Sequence, residues 1–264
     1  MTFDITSYDL VVRELENFLK KIDGSIEVDV PSAESIALDL PYVRLIPSVQ
    51  RAVKVCADKI VEVCKWIWEK VYQIVQGIRA PYEMYLRSND WAAIRNVVTS
   101  IQGEIDPNNL QANRTWKGAA QLSYLKTSTS QSAASGKMGD VSDKARSAMM
   151  ECAAGGLAFY SGVLVICASF LGGLARAIGE LASGIGAPIS IADIAATSGL
   201  SAGQLWTAVT LATGFVGLQA KAFSELNAAL SDNSTFPGGW PDSQAWTFAD
   251  ASVEGDGESK WQLS

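Results

Sequence analysis

The chain contains no histidine. That absence removes the commonest general base, the usual metal ligand and every Ser-His or Cys-His dyad. Cysteine is scarce: Cys56, Cys64, Cys152 and Cys167 form no CxxC, so zinc and thioredoxin-like readings have no spacing to rest on. All four fall inside apolar helical patterns and read as small buried hydrophobes, with disulfides between distant helices left open. Charge is thin as well. Charged residues make up 19% of the chain against 48% hydrophobic, and mean hydropathy is +0.13. That balance points to a large partner interface or membrane contact. A basic surplus is missing too: the net charge is −7 and the pI about 4.7, which argues against nucleic acid as a partner. The glycine-rich stretches follow no strand, so phosphate-loop and dinucleotide readings lack support. Carboxylate pairs such as Asp58 and Glu62 lie beside lysines and read as solubilising charge. No catalytic residue, cofactor, metal ligand or small-molecule substrate is expected.

What is present is helical periodicity. The N-terminal stretch reads as an amphipathic helix with Leu10, Leu15, Phe18 and Leu19 on one side. Asp4 and Asp9 stand where a secretory signal would need apolar residues. Pro31 and Pro41 predict a linker or extended segment after it, with a short strand possible at "SIEVDV". Ile46, Val49, Val53, Cys56, Ile60, Val63 and Ile67 then recur at intervals of three and four, a coiled-coil-like seam. This seam can face a partner helix or the inside of a bundle. Gly77 and Pro81 punctuate its end. Ser88-Asn89-Asp90 reads as the cap of the next helix, which carries Trp91, Ile94, Val97, Val98, Ile101 and Ile105. After a turn at "DPNN", "TWKGAAQLSYL" opens another helix. The hydroxyl-rich "TSTSQSAASGKMGD" predicts a frayed joint, because side-chain hydroxyls compete for backbone hydrogen bonds, and Asp140 or Ser142 reads as the cap of a restart. Residues 152–175 and 194–220 are uncharged and rich in Gly, Ala and Ser. Each is long enough to span a bilayer, and small residues also suit closely packed helices in water. The tail 231–264 is acidic and carries Trp240, Trp246 and Trp261, either as docking points or as a strap on the body.

Trp116 and Gly118 bracket Lys117 between two helical patterns. From the residues alone, Trp116 plugs the end of a helical hairpin and Gly118 supplies the bend, while Ala119 and Ala120 give a thin helix face. "WKGAAQLSY" also resembles the Trp-x-Gly turn of the WXG-type substrates of bacterial type VII secretion, with Tyr124 in the following pattern, over roughly residues 88–180. The segment "STFPGGWP" resembles the C-terminal part of longer actinobacterial members. The resemblance implies a helical hairpin that works by association with itself or a helical partner. It also implies a bacterial protein, exported without a cleavable leader or cytoplasmic. The family's export signal, Tyr-x-x-x-Asp/Glu, has its nearest equivalent in Trp246-Thr-Phe-Ala-Asp250, with Trp in the Tyr position.

The expected architecture is all-α: long antiparallel helices with an apolar, glycine- and alanine-rich C-terminal pair. The expected divisions are an N-terminal helix and linker at 1–36, a seam helix at 37–87, a hairpin with apolar extension at 88–230 and a tail at 231–264. The expected function is non-enzymatic association, with Ile46, Val49, Val53, Ile60, Val63 and Ile67 and the run 152–175 as the surfaces. The alternative is a membrane-inserting, pore-forming-like protein using 152–220 as a hairpin.

Overall fold

The computed structural model describes residues 3–184, 202–232, 234, 240 and 241. Among the described residues there is no strand, and the protein is all-α. The helices are α1 (Ile5–Gly24), α2 (Val30–Asp39), α3 (Pro41–Leu45), α4 (Pro47–Val75), α5 (Ala80–Glu104), α6 (Ala112–Thr115), α7 (Ala119–Ala182) and α8 (Ala202–Ser231). The chain divides into two compact units, Met1–Glu83 with Cys152–Leu218 and Met84–Glu151 with Gln219–Ser264. α5, α7 and α8 contribute to both.

In the first unit the prolines begin helices rather than break them. Pro41, Pro47 and Pro81 sit in the first turns of α3, α4 and α5, where a missing N–H leaves nothing unsatisfied. Leu40 and Ile46, each before a proline, are extended with ψ of 133° and 98°, as the clash with the proline ring demands. The expected linker and strand at 25–30 are absent. Ser25–Asp29 form a π-helical turn that joins α1 to α2, and this wider turn takes Pro31 into the helix without an α-type bond at its nitrogen. The Ser25 hydroxyl donates to Asp29 at 3.0 Å.

Three heptad-like rows build this unit's core. They are Tyr8, Val11, Leu15, Phe18 and Ile22 on α1; Val53, Ala57, Ile60, Cys64, Ile67 and Val71 on α4; and Tyr160, Val163, Cys167, Phe170, Leu174, Ala177 and Leu181 on α7. Phe18 meets Phe170 edge-on at 6.3 Å. Asp4 caps α1 by accepting from the Ser7 amide at 2.8 Å. Leu10, expected on the inner side of α1, is 54% exposed. Gly155 and Gly156 let α7 be approached closely. A Cβ on Gly156 would stand 2.3 Å from Pro81 Cγ, and one on Gly155 would press on Leu218 and Phe215. Phe215 stacks on Phe159 at 5.6 Å.

In the second unit α5 and α7 form an antiparallel hairpin joined through α6. Ser88 is not a helix cap: α5 starts eight residues earlier, and the buried Ser88 hydroxyl donates to the Tyr85 carbonyl at 2.6 Å. The frayed joint is likewise absent, because α7 is continuous from Ala119 to Ala182. Ser142, read as a restart cap, bonds back to the Met138 carbonyl at 2.8 Å.

Candidate functional site

The hairpin turn is built from short-range polar bonds. Asp106 accepts from the Asn108 amide at 2.8 Å, and the Asn109 side chain donates to the Gly103 carbonyl at 2.8 Å, closing the end of α5. Gln121 reaches back from α7 to the Ala112 carbonyl at 3.2 Å. Trp116 is extended, with φ −98° and ψ 156°. Gly118 has φ +100°, in the region glycine enters without strain, and its carbonyl accepts the Leu122 amide in the first turn of α7. The half-buried Trp116 ring packs on Tyr124 at 5.4 Å and 49°, and Tyr124 is 39% exposed. The structure therefore brings Trp116, Gly118 and Tyr124 together at one turn.

Small residues carry the hairpin's two arms together. Ser128, Ser132, Ser135, Gly139, Ser142 and Ala145 are buried at intervals of three and four. The Ser128 hydroxyl donates to the Ile105 carbonyl, and Ser132 to the Gln102 carbonyl at 3.2 Å. A Cβ on Gly136 would stand 2.9 Å from Gln102, and one on Gly139 would stand 3.2 Å from Thr99. Arg95 and Asp143 pair at 3.5 Å farther along. The hydroxyls that seemed to loosen this stretch satisfy the facing arm and their own helix.

The flank of α5 beside its buried Val98 is apolar and open. Ile94, Val97 and Ile101 are 43%, 59% and 39% exposed, while Val98 beside them is buried. The sequence placed all four on one helical pattern. Adjacent Val97 and Val98 point to different sides, so the pattern alone does not say which side is covered. On α8, Phe223 and Leu230 are seven residues apart and 56% and 61% exposed. Lys137 pairs with Asp232 just past the end of α8, a contact with no sequence signal across that separation. The Lys137 hydrogen bond holds the Asp232 carboxyl well below the usual carboxylate range. A groove of about 340 Å³ between α7 and α8 is lined by Asp143, Lys144, Ser147, Glu151 and Glu225, charges of both signs. No group among the described residues has three or more ligating side chains placed for a metal.

The expected seam divides differently. Val53, Ile60 and Ile67 are buried in the first unit, Val49 and Val63 are half-buried, and Ile46 is 45% exposed. The inner row uses Ala57, Cys64 and Val71 in place of Val49, Cys56 and Val63, so Val53, Ile60 and Ile67 face this unit's core. The run 152–175 is similarly placed, with Tyr160, Val163, Cys167, Phe170 and Leu174 buried. The four cysteines are free thiols. Trp246 and Asp250, the signal-like pair, lie outside the described residues, as do residues 194–201 of the second apolar run. No family model, no curated protein and no solved structure matches the chain.

Proposed function

We propose that the chain is a non-enzymatic helical interaction protein, resembling the WXG-type proteins of bacterial type VII secretion, that acts by helix–helix association with a second copy or a helical partner. The observation that carries this reading is the setting of Trp116-Lys117-Gly118. The motif lies between two antiparallel arms, with Gly118 at φ +100° and Trp116 on Tyr124. A turn of this kind is a device for holding two helices side by side and offers no chemistry. The association surface is the exposed flank of α5 formed by Ile94, Val97 and Ile101, an apolar row at helical spacing. It takes the place of the seam on α4, whose Val53, Ile60 and Ile67 are buried in the first unit.

Light scattering coupled to size exclusion tests this. The native chain is expected to exceed its monomer mass of 28.2 kDa. Val97→Asp with Ile101→Asp is expected to return it to that mass with helix content unchanged, since neither residue is buried. A native monomer, or an oligomer indifferent to both changes, refutes the surface.

One observation favours the membrane reading as an alternative. α7 contains a window apolar and long enough to cross a bilayer, of which 33% is buried. Leakage of anionic and neutral liposomes by the native chain supports insertion; intact vesicles at every protein concentration tested oppose it.

A further inference from the structure

A second exposed row runs along α8. Ala220, Phe223, Asn227 and Leu230 are all exposed and recur at intervals of three, four and three. None is charged, and Phe223 and Leu230, at 56% and 61%, are the large members. Asn227 stands about 50° round the helix from the line joining them, so its amide lies at the rim of the row. On α5, Ile94, Val97 and Ile101 repeat the same kind of spacing, at three and four. Ile94 to Ile101 and Phe223 to Leu230 each span about 10 Å of helix. Rows matched in period and length pack by setting the side chains of one between those of the other.

Both rows belong to the second unit, and α7 stands between their helices. The buried row of α7 from Ser128 to Ala145 faces α5. Lys144, Ser147 and Glu151, about half a turn round α7, face α8. Within one copy, then, neither row covers the other.

Charge separates the ways in which two copies can cover them. Glu104 is exposed and lies one turn beyond Ile101. In a symmetric pairing of two α5 rows it meets a second Glu104 when the helices run parallel. When they run antiparallel about Val97 it meets Asp90, whose Arg87 is already engaged at 3.0 Å. Either way the α8 row stays in water. Laid antiparallel on α8, with Ile101 beside Phe223 and Ile94 beside Leu230, the α5 row brings Glu104 to Ala220 and Lys221. Lys221 is 67% exposed, touches Glu225 only at 3.7 Å, and has a stem long enough to turn toward the row. At the other end the Arg87–Asp90 and Lys137–Asp232 pairs approach each other, each already neutral.

We propose that the α5 row of one copy docks antiparallel on the α8 row of the next, with Glu104 beside the neighbour's Lys221. This contact rests on the reading of α5 as the association surface and names what covers it. It is head-to-tail: every copy offers one face and receives the other, so the contacts close into a ring or grow as an open chain.

The test mixes two variants of the full chain at a concentration where the native chain is associated, read by light scattering coupled to size exclusion. Val97→Asp with Ile101→Asp removes the α5 row and keeps the α8 row; Phe223→Asp with Leu230→Asp does the reverse. Each variant alone is expected at the monomer mass of 28.2 kDa. Their equimolar mixture is expected at twice that mass, because one intact face of each kind remains. An α8 variant that associates as the native chain does overturns the head-to-tail contact and leaves α5 pairing symmetrically. A mixture that stays monomeric overturns it as well. A native monomer, or an α5 variant that associates like the native chain, refutes the α5 surface itself and this contact with it. Circular dichroism checks that both variants keep their helices. Should the α8 variant lose them, the charge pair decides. Glu104→Lys and Lys221→Glu, both at exposed positions, are each expected to weaken native association about threefold to fivefold, and together to restore it. Association indifferent to Lys221→Glu, or a double variant no stronger than the singles, overturns the contact.

Discussion

At the scale of the single residue, Tyr8 shows how burial and titration meet. It is 4% exposed, packs beside Phe3 at 5.3 Å and Tyr82 at 6.4 Å, and its hydroxyl has no hydrogen-bond partner among the described residues. Burial, with smaller contributions from Tyr160 and Asp9, raises its pKa from 10.0 to about 12. The sign follows from which state loses its proton first. Below pH 10 both folded and unfolded chains hold the neutral phenol, and the group has no pH effect on stability. Between 10 and 12 the unfolded chain ionises while the fold keeps its proton, so stability falls as pH rises. Tyr8→Phe removes this titration together with an unpaired buried hydroxyl. Its stability at pH 7 is expected to hold or to rise by up to about 1 kcal/mol, and its loss of stability between pH 10 and 12 should be smaller than that of the native chain. Urea midpoints across that pH range decide it; a variant clearly less stable at pH 7 would mean that the hydroxyl has a partner that matters.

At the scale of the element, the α5–α7 arm contact depends on small side chains at the seam. Ser135 is 2% exposed, and Gly139 lies 3.2 Å, from its notional Cβ, to Thr99. Ser135→Leu adds volume where the row is tight, and is expected to destabilise the second unit by about 1–3 kcal/mol. Thr129→Leu, at an exposed position of the same helix, should change stability by less than about 0.5 kcal/mol. Denaturant unfolding compares them; equal effects would remove the seam from the account. The same segment shows what the sequence could and could not tell. A period of three and four was plain on α4, because a long amphipathic helix repeats its inner residues; on α1 the pattern marks Leu15 and Phe18 but also the exposed Leu10, and on α7 no inner row was legible. The phase was not plain on α4: the rows through Cys56 and through Ala57 are both apolar, and neighbouring helices select the second. The stretch 127–139 read as a weak joint because Ser and Gly disfavour an isolated helix. The facing arm reverses that preference by accepting from Ser128 and Ser132 and by filling the space beside Gly136. Pro31 and Pro41 misled for the same reason, since a proline marks a helix start as readily as a break. The turn at Trp116 and Gly118 was legible because it needs particular residues: a glycine for φ +100° and an aromatic ring to cover the end.

At the scale of the whole molecule, charge sets the condition under which apolar faces can meet. The net charge of −7 includes −4 from residues 242–264, five acids less one lysine, which leaves −3 for residues 1–241. Two copies approaching through Ile94, Val97 and Ile101 therefore do so against mutual repulsion. Lowering the pH from 7 toward the pI of about 4.7 titrates carboxylates and removes that repulsion, and salt at pH 7 screens it. If association runs through α5, the weight-average mass at fixed concentration should rise under both treatments. Val97→Asp with Ile101→Asp should abolish both rises, because the apolar attraction is lost. Precipitation near the pI would raise the mass of the variant as well, so the difference between the two chains is the quantity to read. The membrane reading makes a separate demand on the same acidification: vesicle leakage that grows as pH falls and is untouched by the α5 substitutions. A rise in mass equal in both chains, without leakage, would leave neither surface in use and would refer association to another face of the bundle.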